Sequence, residues 1–375
     1  MRKKSAIVVG AGIVGLATAR ALSLKGYNVT VVERSGKAVG ASIRNFGMIW
    51  PVGQPDGTLY NRAVRSKMIW KDIADSVGLW YAETGSLHLA HYEDEWQVLQ
   101  EVNEIFLKND RPVQLMNKGI ITGKFNGVNP DGLLGGLYSD TEMVVDPREA
   151  MSSISVYLNE YLDVQFVWGK TVTAVEPGKI YINKDEMQAD IIFICSGVDF
   201  ETLYPEEFSS TEITKCKLQM MRFKTADEDF NIGTSLCGGL SLIHYSSFTA
   251  APSLLKLRER YQQDMAEYLK WGIHVMVAQN NKGELTVGDS HEYGLTLDPF
   301  DQSFINNLIT TYLQQFALTD NWQLIQTWNG IYSKMTNAQP GILLQPDAGV
   351  YIINGVGGAG MTLSFGFAEE IVASI

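Results

Sequence analysis

The sequence predicts an α/β fold with a parallel sheet buried on both faces. Three observations carry that prediction. The chain opens with a short apolar run, a glycine-rich turn, a helical stretch and a second strand that ends in an acid. It closes with another strand, a second glycine-rich loop and a final helix. Between them, Ala189 to Gly197 forms a further apolar strand that ends in small residues. Each of these runs is too short and too rich in β-branched residues to read as a helix.

Ala6 to Val9 is the first strand, and Gly10-Ala11-Gly12-Ile13-Val14-Gly15 follows at once. Leu16 to Lys25 has helical composition, Gly26-Tyr27 stops it, and Asn28 to Val32 is the next strand. The order is strand, GxGxxG, helix, strand, acid, which is a Rossmann-like βαβ unit. Gly10 permits the tight turn, Gly12 lets a pyrophosphate approach the backbone, and Gly15 lets the helix pack close to the strand. The helix start, with Ile13 and Val14, offers N–H groups and a positive dipole end to phosphates. Glu33 lies 18 residues after Gly15 and can accept hydrogen bonds from a ribose diol. A carboxylate there disfavours a 2′-phosphate, although Arg34 leaves that slightly open. The motif alone does not separate NAD from FAD.

The residues after Glu33 help to separate them. Arg34 to Ser42 is a long loop where an NAD domain would enter its next helix. Val172, Val175, Ile180 and Ile182 alternate as in a β-meander, ahead of the strand that ends at Ser196-Gly197. Gly349 to Asn354 is a late strand, and Gly355 to Thr362 is the second glycine-rich loop, with a helix predicted from about Leu363. A second helix N-terminus can thus face a second electron-rich group.

Composition bounds the partners. The 375 residues are 45% hydrophobic and 19% charged, enough for two domains and a substantial core. A net charge of -12 is a poor match for nucleic acid. It also weighs against a tRNA-modifying flavoenzyme. Cys195, Cys216 and Cys237 form no CxxC pair, so a disulfide framework is not expected and a reducing cytoplasm fits. No run of 18 uncharged apolar residues predicts a membrane span. No HxH or HxxxH spacing appears, so no metal site is expected.

With these motifs in place, the chain resembles the glycine oxidase, sarcosine oxidase and D-amino acid oxidase family of FAD-dependent oxidoreductases. The likeness rests on Gly10 to Gly15 with Glu33, Gly40-Ala41-Ser42, Asn45 and Gly47, Val145-Asp146-Pro147, the strand ending at Gly197, and Gly357 to Thr362. The run Gly40 to Pro55 is similar to a narrower branch associated with breakdown of phosphonates, aminoethylphosphonate in particular. The resemblance implies a discontinuous FAD domain of residues 1-80, 142-212 and 322-375, interlocked with a mixed α+β substrate domain of 81-141 and 213-321. Strand-like runs at Lys217 to Phe223 and Ile273 to Ala278, around a charged helical stretch Leu254 to Tyr268, agree with it.

The resemblance also implies roles. Gly10, Gly12, Ile13, Val14 and Gly15 would hold the pyrophosphate and Glu33 the ribose. Arg34 and Ser42 would lie along the ADP moiety, Val172 would offer main chain to the adenine, and Ser196 and Gly197 would close that end. Asn45, Phe46, Gly47, Met48 and Gly330 would pass near the isoalloxazine, and Gly357, Gly358, Ala359, Gly360, Met361 and Thr362 would face its pyrimidine. Relatives acting on amino acids carry a carboxylate-binding arginine in a Gly-x-Arg-Pro motif. Here Gly330-Ile331-Tyr332 puts tyrosine at that position. A phenol cannot supply the bidentate fork of a guanidinium, which puts a simple α-amino acid in doubt.

The implied reaction is oxidation of a C–N bond by hydride transfer to flavin N5, followed by imine hydrolysis. Oxygen or another acceptor would then take the electrons. The substrate expected first is a small anionic amine such as an aminoethylphosphonate. The alternative is glycine, sarcosine or a D-amino acid. Tyr332 and Lys334 are catalytic candidates, and Lys334 is a point charge for the anionic group, a group that reaches the reactive face of the flavin, or a solvent lysine. Arg44 binds flavin phosphate, binds an acidic substrate, or pairs with a surface carboxylate. His291 is the expected active-site histidine and candidate base, His274 and His244 are weaker candidates, and His88 and His91 are expected at the surface. Lys217 and Gln219 stand where relatives enter the substrate sheet. No cysteine lies in the Tyr332–Lys334 run, so the FAD is expected to be noncovalent.

Overall fold

The computed structural model describes residues 3–375. Strand β1 (Ser5–Val9) leads into helix α1 (Ile13–Leu24), and β2 (Asn28–Glu33) returns parallel to β1 with Ser5 beside Asn28 and Val9 beside Val32. β3 (Gln165–Trp168) extends the sheet beyond β2, and β4 (Ile191–Ile194) lies on the other side of β1. A second sheet is organised by β5 (Ile213–Thr225), β6 (Glu284–Gly288) and β7 (Trp322–Met335). The chain then re-enters the first sheet as β8 (Ile342–Asp347) and β9 (Val350–Asn354) and ends in helix α2 (Gly360–Ser374).

The first sheet has the order β8-β9-β4-β1-β2-β3. All neighbours are parallel except β8, which runs against β9. Its alternating residues serve two cores. Ala6 and Val8 face α1, α2 and the helices Thr58–Val77 and Pro147–Leu162, while Ile7 faces the meander Ala174–Glu176, Lys179–Ile182 and Asp185–Gln188. Burial on both faces is why β1 is a continuous apolar run. Of the alternating residues, Val175, Ile180 and Ile182 lie in the meander, whose first strand begins at Ala174, two residues after Val172.

In the nine-stranded second sheet, β5 pairs with β7 along nearly its whole length, with a register shift between Arg222 and Phe223. This strand alters one predicted boundary. The return to the first unit at residue 322 comes later by sheet membership, because β7 lies in the second sheet until Met335. The two sheets are also tied side chain to side chain. Asp146, which caps the Pro147–Leu162 helix, lies 2.6 Å from Arg148, and Arg148 reaches on to Glu284 of β6.

His88 departs from the surface position predicted for it. It sits in the Ser86–Ala90 strand with no exposed area, against Trp50 and Phe248, and neither ring nitrogen has a hydrogen-bond partner among the described residues. Its strand is apolar on both faces, and a neutral imidazole fits there. His91 is half-buried. Burial lowers His88 from its ordinary 6.5 to about 3. The unfolded chain therefore binds this proton more tightly than the folded one, and stability falls as pH drops below 6.5. The slope from this one group is about 1.4 kcal/mol per pH unit down to its folded value. His88→Leu should flatten the acid limb of a denaturation midpoint measured between pH 7 and 4. An unchanged limb would mean that His88 is not the group that titrates.

Candidate active site

The nucleotide end of the site is built by β1, α1 and β2. Gly10 has φ +105°, and a Cβ there would lie 2.4 Å from the Cys195 carbonyl oxygen. A Cβ at Gly15 would lie 1.9 Å from the Gly10 carbonyl oxygen. Both positions require glycine for close approach. At Gly12 the nearest atom is Ser42 Oγ at 3.3 Å, so this side of the turn is open, as a pyrophosphate needs. The Ile13 N–H donates to Ser42 Oγ at 3.0 Å, which brings Ser42 to the start of α1. Glu33 accepts from the Ala11 and Ser35 N–H groups, each at 2.9 Å, and its carboxylate is held beside the turn. The first turn of α1 holds no acid to compete for its dipole.

Arg34 is paired with Asp199 at 2.7 Å. The Val172 side chain is 4% exposed and packs in the core of the meander, which leaves only its main chain for a ligand. The Ser196 hydroxyl is buried without a partner, and the Gly197 carbonyl accepts from Asn354 Nδ2 at 2.9 Å. That bond joins the end of β4 to the end of β9.

The second glycine-rich loop meets the first. Gly357–Ala359 is a short 3-10 turn, and α2 begins at Gly360, three residues before the predicted Leu363. A Cβ at Gly360 would sit 3.6 Å from Ile13 Cγ2, so the starts of α1 and α2 are in contact. The buried Met361 and Thr362 serve packing. The Met361 carbonyl accepts from Trp70 Nε1 at 2.7 Å, and Thr362 Oγ1 accepts from the Trp50 N–H at 2.9 Å. Gly357, Gly358 and Ala359 are the open part of the loop.

The loop before Trp50 is shaped from within. Asn45 Nδ2 donates to the Ala41 and Ser42 carbonyls, and its Oδ1 accepts from the Gly47 N–H. A Cβ at Gly47 would lie 2.0 Å from the Val145 carbonyl oxygen. Phe46 and Met48 pack against the second-sheet core, and Met48 is 7% exposed, a core residue rather than a free cleft residue. Arg44 is exposed, with Nη1 3.4 Å from the Asn329 carbonyl oxygen and its main chain against Gly330. Among the described residues no carboxylate pairs with Arg44, which removes one of its three predicted roles.

Strand β7 carries Tyr332 and Lys334 on one face, toward the Gly357–Gly358 loop. The Tyr332 hydroxyl lies 3.4 Å from the Cβ position of Gly358, and Lys334 Cγ lies 3.6 Å from that of Gly357. Burial raises the Tyr332 phenol well above 10, so it remains neutral. Lys334 Nζ is 3.2 Å from the Tyr293 hydroxyl. Cys216, absent from this run in sequence, stands directly across from Tyr332 on β5. Burial pushes its thiol up to about 11, so it stays protonated. Lys217 and Gln219 are engaged elsewhere. Lys217 Nζ donates to the Asp298 and Phe300 carbonyls, and Gln219 Nε2 donates to the Gln302 carbonyl and Asn306 Oδ1.

All three predicted cleft histidines come together. The rings of His244 and His274 are 3.6 Å apart, those of His244 and His291 4.9 Å, and those of His274 and His291 5.2 Å. His291 Nδ1 lies 2.8 Å from the Gly272 carbonyl oxygen. Burial lowers His291 to about 4, so it is a neutral imidazole at pH 7. Asp289, Tyr245 and Tyr293 complete this wall and were not predicted. Asp289 and Tyr293 lie two residues either side of His291, so extending the strand periodicity past Gly288 would have found them.

A family model described as "FAD dependent oxidoreductase" (DAO) matches residues 5–374. The chain belongs to the DAO family of FAD-dependent oxidoreductases. Among solved structures, it superposes on the L-proline dehydrogenase of P. horikoshii with a TM-score of 0.80 at 19% identity, covering 99% of this chain and 92% of that one. It superposes on the glycine oxidase of Bacillus cereus with a TM-score of 0.79 at 14% identity, covering 99% and 94%. A curated relative is the tRNA 5-methylaminomethyl-2-thiouridine biosynthesis bifunctional protein MnmC of Chromobacterium violaceum. It is 26% identical over 250 residues, which are 63% of this chain and 36% of that protein. The chain spans less than half the length of the first curated relatives it matches, 36% and 41%.

The residues of this DAO-family chain fit FAD. The Gly10–Gly15 turn leaves its Gly12 side open, Glu33 is held beside it, the buried Ser196 hydroxyl lacks a partner, and a second helix start abuts the first. Among the described residues, no helix is long and apolar enough to cross a membrane.

Proposed function

We propose that this FAD-dependent oxidoreductase oxidises the C–N bond of a small amine bearing an anionic group, with an aminoethylphosphonate as the preferred class. The observation that carries the reading is the β7 wall. Tyr332 stands against the second glycine loop, and Lys334 beside it supplies a point cation rather than a planar fork. A tetrahedral phosphonate suits a point charge, whereas a carboxylate gains most from the bidentate guanidinium missing here. Arg44, without a carboxylate partner among the described residues, is a second cation at the loop that enters the site.

The Gly10–Gly15 turn and the Gly357–Ala359 loop would hold FAD, which would supply the hydride acceptor for the carbon next to the amine. The product imine hydrolyses to a carbonyl compound and a free amine. This chain's task is to hold the amine neutral, so that its lone pair assists. Burial holds His291 down to about 4, which makes it a weak base toward an ammonium. Neutralisation falls instead to the desolvating pocket, which disfavours the charged amine. Tyr332, a neutral phenol, donates or accepts a hydrogen bond to orient the substrate. Cys216, protonated and packed, favours a noncovalent cofactor. Oxygen or another acceptor takes the electrons.

The reading is tested by anaerobic titration of the purified holoprotein with free and N-methylated aminoethylphosphonate, glycine, sarcosine and D-alanine. Faster bleaching of the flavin band by an aminoethylphosphonate supports it. Faster bleaching by the plain amino acids would replace it with an amino acid oxidase or dehydrogenase.

A further inference from the structure

His244 ends the short helix Leu240–His244, His274 precedes the strand Met276–Gln279, and His291 follows β6. Three separate elements thus deliver three imidazoles to one place, and one nitrogen from each lies within 4.8 Å of the others. His274 and His291 are 3% and 6% exposed, whereas His244 is exposed. We infer that His244, His274 and His291 form a binding site for one divalent transition-metal ion of the zinc class.

The surroundings of the rings add to their proximity. The Gly272 carbonyl at 2.8 Å takes the Nδ1 proton of His291, which leaves the Nε2 lone pair free. Asp289 Oδ1 lies 3.1 Å from His274 Nε2, and His274 Nδ1 is buried with no hydrogen-bond partner among the described residues. His244 has no hydrogen-bond partner among the described residues. His291 thus has the outer arrangement of a metal-bound imidazole, in which the second ring nitrogen donates to a backbone carbonyl. Neutral imidazoles suit zinc, copper, iron or nickel rather than magnesium or calcium. Ligands about 2.0–2.1 Å from one tetrahedral ion stand roughly 3.3 Å apart, so small side-chain rotations close the set. Three protein ligands leave an open coordination position. Lys334 acts against a cation here, and Asp289 stands beside His274 as a buried acceptor.

An anion bound directly by the histidines is the competing occupant. Neutral rings disfavour it, because they lack the cationic donors that make the stronger charge-assisted bonds to an anion. The test uses the holoprotein after dialysis against a chelator. Zinc is added, and bound metal is read by elemental analysis after equilibrium dialysis. Cobalt is added in parallel, and its ligand-field absorption is read. About one ion per chain is expected. His244→Ala, at an exposed position, should abolish that binding, and Asp289→Asn should weaken it about 10–100-fold. Flavin content of each variant reports that the fold is kept. Binding below a tenth of an ion per chain, or binding unchanged in His244→Ala, overturns the inference. So does inorganic phosphate binding that depends on His244 in the absence of metal. None of these readouts requires turnover, so failure of the proposed substrate leaves the metal result standing.

Discussion

Gly15→Ala should yield a destabilised protein that is nearly free of flavin. The new methyl would sit 1.9 Å from the Gly10 carbonyl oxygen, a backbone atom that cannot rotate away. Either α1 moves off β1 or the turn at Gly10 opens, at a cost of about 1–3 kcal/mol for overpacking of this kind. Both movements shift the N–H groups at Ile13 and Val14 from the line a pyrophosphate needs. Gly12→Ala separates the two effects. Its methyl would meet only Ser42 Oγ, at 3.3 Å, so the fold should survive while the approach to the backbone is blocked. The expected result is at least a tenfold drop in bound FAD for both variants, with a lowered thermal midpoint for Gly15→Ala alone. Full flavin occupancy in Gly12→Ala would show that the pyrophosphate does not pass over this turn.

Lys334→Met should lower kcat/KM for an aminoethylphosphonate by about 10–150-fold, the equivalent of one charge-assisted hydrogen bond of about 1.5–3 kcal/mol. The loss should fall mainly on KM if the cation only binds the anionic group. An uncharged amine of the same length should change by less than about threefold. The Lys334 ammonium contacts the Tyr293 hydroxyl, and among the described residues no carboxylate forms an ion pair with it. Equal losses for charged and uncharged amines would move Lys334 from substrate recognition to the reaction itself. No loss for either would make it a solvent lysine.

The glycine turns could be read from the chain because their causes are local. Gly10, Gly12, Gly15 and Glu33 lie on one βαβ unit, where strand, turn and helix follow each other within 33 residues. The late loop is equally compact, and its helix start was misplaced by only three residues. The departure of Tyr332 from an arginine position was legible for the same reason. Other residues expected at the cofactor also serve the packing. Met361, Thr362 and Asn45 spend their polar atoms or their surface on Trp70, Trp50 and their own loop. A one-dimensional motif records which residue occurs, not which neighbour reaches it first.

The sequence by itself therefore determined the fold class, the cofactor turns and the residue types along β7. Backbone sterics and short-range periodicity suffice for those. Tertiary structure alone decided that β7 belongs to the second sheet, that Cys216 faces Tyr332, that His88 is sealed in a core, and that His244, His274 and His291 converge around Asp289. Each of those facts depends on strands and loops far apart in the chain being laid side by side. No local pattern encodes such a meeting, because its energy comes from pairing and burial that exist only once the two sheets have closed.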